Sequence, residues 1–133
     1  MQSDAREPNE PEAGCLVRGL APAVWIFLIL VGSLIPGGPP MPGSLAFPDA
    51  DLVLHLGGYA ILAGLIDWAL MGEPGSARGC LAVVFPFWVG AVLELLQPLV
   101  GRTMSWRDVG ANTVGLVAGF VLAEIVLQHL LKD

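Results

Sequence analysis

The acidic, basic and hydrogen-bonding residues of this sequence cluster at a few points between apolar stretches. Asp51, His55 and Tyr59 follow one another at intervals of four residues, which places them on one face of a helix. Glu94 and Gln97 are three residues apart and would share a helix face in the same way. Histidine and carboxylate side chains serve as general acids and bases, and they also bind polar ligands. The two groups are therefore candidates for a binding or catalytic site.

A third polar group lies further along the chain. Asp108 and Asn112 are four residues apart, so they would share a helix face, and Arg102 and Arg107 lie just before or beside them. A guanidinium group binds phosphate or carboxylate through two parallel hydrogen bonds. We therefore expect Arg102, with or without Arg107, to bind an anionic group beside these carboxylates.

Long apolar blocks must position these residues. The chain has 133 residues, of which 55% are hydrophobic and only 14% are charged, and its mean hydropathy is +0.72. Soluble domains of this size seldom have that composition. Apolar blocks cover about residues 19–35, 52–71, 79–100 and 109–131, and about 20 apolar residues suffice to cross a bilayer. The sequence predicts an all-α, polytopic membrane protein that forms a bundle of four transmembrane helices.

The remaining sequence excludes several classes of function. Residues 1–14 are polar, acidic and contain two prolines, so they are predicted to form a disordered cytoplasmic tail before a membrane domain of residues 15–133. The net charge of −6 and the absence of a basic cluster argue against nucleic-acid binding. Cys15 and Cys80 are far apart, which indicates neither a disulfide framework nor a sulfur-ligated zinc site. A histidine with carboxylates is a possible set of ligands for a divalent metal. Because a single histidine among acids is weak evidence for such a site, no metal site and no cofactor are predicted.

The charge distribution predicts an orientation in the membrane. The first block follows an acidic segment, which favours a retained span over a cleaved signal peptide. Four spans place both termini on one side, and cations are more frequent on the cytoplasmic side of membrane proteins. The termini and the second loop carry Arg6, Arg18, Arg78 and Lys132, whereas the third loop carries Arg102 and Arg107. Both termini are therefore predicted to be cytoplasmic, with the polar site in the outer leaflet.

Small residues recur along the last block at intervals of four positions: Ala111, Gly115, Gly119 and Ala123. Such a stripe lets two helix backbones approach closely in a membrane. We expect it to pack against another span and to hold Asn112 against the second or third helix. Near the opposite end of the bundle, Asp67 and Glu124 are predicted to pair with Arg18 and Arg78 or to reach the membrane interface.

The combined spacing resembles the VanZ-like family, which is named for a teicoplanin-resistance accessory protein. The resemblance covers about residues 51 to 120 and rests on Asp51-x-x-x-His55-x-x-x-Tyr59, Glu94-Leu95-Leu96-Gln97, Gly101-Arg102, Ser105-x-x-Asp108, Asn112, Gly115 and Gly119. Leu52 departs from the pattern, because many members have lysine there. The resemblance implies a small multi-pass protein of the bacterial inner membrane, with glycopeptide resistance established for particular members and no defined reaction.

Three functions are favoured by the sequence, and a transporter is less favoured because the charges lie at one leaflet and do not mark a continuous path. The preferred one is binding of a membrane lipid headgroup or a lipid-linked envelope precursor. The predicted ligand-binding residues are Arg102, His55, Tyr59, Gln97, Asn112, Asp108 and Glu94.

The second function is an intramembrane hydrolase or transferase that acts on a lipid-linked substrate. His55 would be the general base, and Asp51, Glu94 or Asp108 would be the acid or a metal ligand. No activated serine or cysteine nucleophile is evident. The third function is that of a structural or regulatory partner, in which the small-residue stripe binds a second copy of the chain or another membrane protein.

Overall fold

The computed structural model describes residues 10–38, 43 and 49–130. This part of the chain is helical and contains no β-strand. It forms four helical segments: α1 (Glu10–Leu34), α2 (Ala50–Ala69), α3 (Gly75–Val100) and α4 (Trp106–Leu130). Each contains a stretch long and apolar enough to cross a membrane. The predicted all-α, four-helix, multi-pass architecture is confirmed.

Helix α1 begins earlier than the sequence predicts. It starts at Glu10, so residues 10–14 are helical and not disordered, whereas residues 1–9 of the predicted tail lie outside the described residues. Pro22 consequently lies in the interior of α1 and not in its first turn.

Helix α3 is irregular at both of its prolines. An α-helical turn over Gly75–Gly79 leads into a π-helical stretch over Cys80–Val84, followed by a regular helix over Phe85–Leu96 and a 3₁₀ turn over Gln97–Val100. Proline has no N–H group and its ring crowds the preceding turn, so the helix widens before Pro86 and tightens around Pro98. Gly101 follows the segment with a φ of 76°, a left-handed conformation that glycine adopts without steric cost.

Helices α2 and α4 touch along their backbones. A Cβ atom on Gly115 would overlap the carbonyl oxygen of Leu56, and one on Gly119 would overlap that of Ala60. Ala111, in the same stripe, is buried. A Cβ built on Gly64 of α2 would lie 3.8 Å from the Cβ of Ala123. The stripe of small residues thus faces α2 of the same chain.

In this bundle acidic side chains are buried and large apolar side chains are exposed, which is the reverse of a soluble protein. Glu94 is 1% exposed and Asp67 is fully buried, whereas large apolar side chains such as Phe27, Trp88 and Leu99 are exposed. Charged residues are almost never buried unless they are paired, and an extensive exposed apolar surface needs an apolar surrounding. The distribution fits a bundle whose outer surface contacts lipid and whose polar residues face one another.

Helix α1 packs less closely than the other three helices. Only 11% of its apolar window is buried, compared with 28% for each of the others. One hydrogen bond joins it to α2, in which the indole Nε1 of Trp25 donates to the carbonyl oxygen of Gly58 at 2.8 Å. The loose contact leaves a cavity between α1 and α2.

Candidate functional site

Polar residues from three helices and one loop meet at the end of the bundle where α2 and α4 begin. We call this group the His55 cluster; it consists of Asp51, His55, Glu94, Gln97, Arg102, Asp108 and Asn112. All seven were candidates from the sequence. The four-residue spacing on α2 and on α4 positions their members on facing sides of the two helices, whose close packing brings them into contact.

The imidazole of His55 lies at the centre of the cluster and is 9% exposed. Its Nδ1 is 2.9 Å from Oδ1 of Asn112. An amide oxygen only accepts hydrogen bonds, so Nδ1 donates, and in the neutral ring Nε2 then presents a lone pair. Asn112 therefore fixes both the orientation and the tautomer of the ring.

Three carboxylates surround the Nε2 atom of His55. Asp51 Oδ1 lies 3.8 Å away, and Glu94 Oε1 and Asp108 Oδ2 each lie 3.9 Å away. These separations exceed hydrogen-bond distances, and Nε2 has no hydrogen-bond partner within the described part of the chain. The ring therefore directs an unpartnered lone pair toward three acidic groups.

Neighbouring groups hold Glu94 in place. Gln97 Nε2 donates to Glu94 Oε1 at 2.9 Å, and the backbone N–H of Ser105 donates to Glu94 Oε2 at 3.2 Å. Ser105 Oγ also accepts a hydrogen bond of 3.3 Å from the backbone N–H of Asp108, which caps the start of α4. The loop between α3 and α4 thus fixes the carboxylate of Glu94 and caps the start of α4.

Arg102 joins α1 to the start of α2. Its Nη2 donates to Asp51 Oδ2 at 3.0 Å, and its Nη1 lies 3.3 Å and 3.4 Å from the carbonyl oxygens of Ser33 and Gly32. Terminal carbonyls of a helix lack intrahelical donors, so Arg102 caps α1 as well as orienting Asp51. The sequence did not indicate these α1 carbonyls, because backbone acceptors carry no residue-type signal. Arg107 lies apart and pairs with exposed Asp49 at 2.9 Å.

Two cavities meet at Asp51 and Arg102. One has a volume of about 110 Å³ and a mainly apolar lining between α1 and α2. Its residues are Ile29, Gly32, Ser33, Asp51, Leu54, His55, Gly58, Tyr59 and Arg102. The other has a volume of about 430 Å³ and a mainly polar lining. Its residues are Gly37, Asp51, Gly101, Arg102, Thr103, Ser105 and Asp108. The apolar cavity and the polar cavity therefore adjoin at the His55 cluster.

Tyr59 lies one helical turn beyond His55 and lines the apolar cavity. Its ring packs against Gly90 of α3 so closely that a Cβ on Gly90 would lie 2.7 Å from the hydroxyl oxygen. Sequence reasoning did not single out Gly90. The sequence signal for this contact was an isolated glycine within an apolar span, which is consistent with close packing against a neighbouring helix.

A second charged group lies toward the opposite ends of α2 and α4. Arg78 Nη2 bonds Oε1 of Glu124, and Arg78 Nε lies 3.6 Å from Oδ1 of Asp67. Asp67 and Glu124 thus both face Arg78, as the sequence suggested. Arg18 instead lies over the ring of Trp68, with its Cζ 5.8 Å from the ring centroid.

Comparisons of the chain with protein-family models, with curated proteins and with solved structures gave no match. The fold and composition define an all-α, multi-pass membrane protein. Within that class, its distinguishing feature is a buried histidine surrounded by three carboxylates where α2 and α4 begin.

Proposed function

We propose that the His55 cluster binds the polar headgroup of a membrane lipid or a lipid-linked envelope precursor. The observation that carries this proposal is the adjoining pair of cavities, because Asp51 and Arg102 line both the apolar and the polar one. An amphiphile would place part of its chain between α1 and α2 and its headgroup beside the cluster. The loose packing of α1 supports entry of a chain on that side.

Charge limits the headgroups that fit. Asp51, Glu94 and Asp108 face one guanidinium, that of Arg102, which gives the formal sum −3 + 1 = −2. A bare anion would be repelled by this sum. A suitable headgroup therefore carries a cationic group of its own or binds together with a cation, and its phosphate or carboxylate would lie near Arg102.

The proposal includes a location. The charge asymmetry of the sequence supports cytoplasmic termini, and the cluster would then lie in the outer leaflet of a bacterial inner membrane. The sequence resemblance to the VanZ-like family supports a role at the cell envelope, including a link to glycopeptide tolerance.

Filling the apolar cavity tests the headgroup proposal. Gly58 lines the cavity, and a Cβ built on it meets no atom within 4 Å, so the side chain of Gly58→Leu can begin without a clash and should fill part of the cavity. Gly57→Leu is the matched control, because Gly57 has equal room and does not line the cavity. Native mass spectrometry of the proteins in mild detergent should show a lipid retained by wild type and Gly57→Leu and reduced at least tenfold in Gly58→Leu. Equal retention by both variants would contradict the proposal.

An intramembrane hydrolase or transferase is the second candidate. The observation that favours it is the Nε2 atom of His55, which no hydrogen bond occupies within the described part of the chain, on a residue that lines the apolar cavity; a general base needs such a free nitrogen. The same mass spectra distinguish the two functions, since an enzyme would convert an added lipid-linked substrate to products of different mass. A partner-binding role through the small-residue stripe is less favoured, because Gly115 and Gly119 contact α2 within the same chain.

A further inference from the structure

We propose that the His55 cluster is a divalent-metal site. The ligands would be Nε2 of His55 and one carboxylate oxygen each from Asp51 and Asp108, with Glu94 as a fourth donor. The inference goes beyond headgroup binding and stands without it, because it rests only on the positions of these side chains.

The first support is the histidine itself. His55 is more than nine-tenths buried, its Nδ1 is occupied by Asn112, and its Nε2 has no hydrogen-bond partner among the described residues. A lone pair and three carboxylates repel one another when they lie close together. A cation bound between them would accept the lone pair and balance the formal charge of −2.

The second support is the outer layer of hydrogen bonds. Ligands in metal sites are usually oriented by a partner that holds their other atom. Asn112 holds the far nitrogen of His55, and Arg102 holds the far oxygen of Asp51. The backbone N–H of Ser105 likewise holds the far oxygen of Glu94. The other ligand atom of each residue faces the centre of the cluster, and in Glu94 this atom, Oε1, also accepts the hydrogen bond from Gln97.

The distances suit a small cation. The three ligand atoms offered by Asp51, His55 and Asp108 lie within 4.8 Å of one another. Ligands at about 2.1 Å from a metal lie roughly 3 to 4 Å apart, depending on geometry. Small side-chain rotations would bring these ligand atoms to metal-binding distances. Asp51, which is the most exposed of the three residues, has room to make such a rotation.

The amide oxygen of Gln97, within the His55 cluster, also lacks a hydrogen-bond partner among the described residues. Gln97 is fully buried, and its Oε1 accepts no hydrogen bond within the described part of the chain. Its Nε2 is already used on Glu94. A metal-bound water would supply the missing donor, since such waters normally donate to nearby protein oxygens.

The donor set selects the class of metal. One imidazole nitrogen with carboxylate oxygens and no sulfur suits Zn²⁺ or Mn²⁺. Ca²⁺ is less suited, because it takes six to eight oxygen ligands. A metal at this position would also attract the phosphate of a headgroup, which would explain how an acidic cluster accepts an anionic ligand.

Metal stoichiometry tests the inference directly. The full chain would be purified in detergent without a polyhistidine tag, stripped with a chelator, dialysed against ZnCl₂ or MnCl₂, and analysed for bound metal by mass spectrometry. We expect about one Zn²⁺ or Mn²⁺ per wild-type chain and at least tenfold less bound metal in His55→Ala and in Asp108→Asn. His129→Ala and Asp49→Asn are matched controls outside the cluster and should bind as wild type does.

Two outcomes would overturn the metal site: no metal bound by wild type, or equal binding by wild type and Asp108→Asn. The near-isosteric Asp108→Asn variant decides the question if size-exclusion chromatography shows that His55→Ala does not fold. Failure of the headgroup proposal is recognised separately. In that case the stripped protein still binds one metal, and Gly58→Leu and Gly57→Leu retain the same lipids.

Discussion

Arg102 lies in the loop after α3 and Arg107 lies in the first turn of α4, and the surroundings of the two arginines differ. The side chain of Arg102 is 12% exposed and contacts Asp51 together with two carbonyl oxygens of α1. The side chain of Arg107 is 70% exposed and pairs only with exposed Asp49 among the described residues. Exposed ion pairs contribute little to stability, whereas hydrogen bonds from a buried charged group contribute more. The two residues therefore provide a matched comparison.

Arg102→Lys should destabilise the protein although it keeps the charge. A lysine ammonium is a point charge and lacks the planar fork that reaches Asp51 and the α1 carbonyls together. We expect a loss of about 2 kcal/mol, on the scale of one or two charge-assisted hydrogen bonds. Arg107→Lys should change stability by less than about 0.5 kcal/mol. Thermal unfolding in detergent, monitored by tryptophan fluorescence, measures both; an unchanged midpoint for Arg102→Lys would show that its contacts do not secure α1.

At the residue scale, spacing was sufficient to find most of the site. The four-residue intervals on α2 and α4 correctly grouped Asp51 with His55 and Asp108 with Asn112, because side chains at such intervals share a helix face. Spacing along one helix cannot give distances between helices. The residue types alone made a metal site possible, but the convergence of three carboxylates on one nitrogen emerged only from the packed structure.

At the scale of helices, the backbone contact between α2 and α4 holds the cluster together. His55 and Asn112 meet because Gly115, one turn along from Asn112, lets α4 touch the carbonyl of Leu56. The sequence predicted a close contact from the small-residue stripe and left the partner open between the second and third helices. The π-helical stretch of α3 could not be predicted, since Pro86 indicates an irregularity without fixing its form.

Gly119→Ala should disrupt this contact. The added methyl group would overlap the carbonyl oxygen of Ala60, which belongs to the backbone and cannot rotate away. Overpacking of this kind costs about 3 kcal/mol, the upper end of the usual range. Gly110→Ala on the same helix is the control, because a Cβ there meets nothing within 4 Å and alanine favours a helix. Thermal unfolding should separate the two variants, and equal midpoints would contradict the close α2–α4 contact.

At the scale of the molecule, the two charged groups lie toward opposite ends of the bundle. One is the His55 cluster, and the other is the group in which Arg78 faces Asp67 and Glu124. The apolar middle separates them, so they do not form a continuous polar path among the described residues. This separation fits a site that opens toward one face of the membrane more readily than a transport pathway, which would need polar groups at intermediate depth.

The orientation of the bundle decides which face the cluster serves. Thr103, in the loop beside the cluster, and Ser76, near the start of α3, are both exposed and lie toward opposite ends of the helices. In a Cys15→Ala/Cys80→Ala background, Thr103→Cys should react with a membrane-impermeant maleimide in intact spheroplasts. Ser76→Cys should react at least tenfold less until the membrane is permeabilised. The physical reason is the excess of cations in the termini and second loop, which favours their retention in the cytoplasm. The reverse labelling pattern would place the cluster at the cytoplasmic face, and its ligand would then be a lipid of the inner leaflet and not an exported envelope precursor.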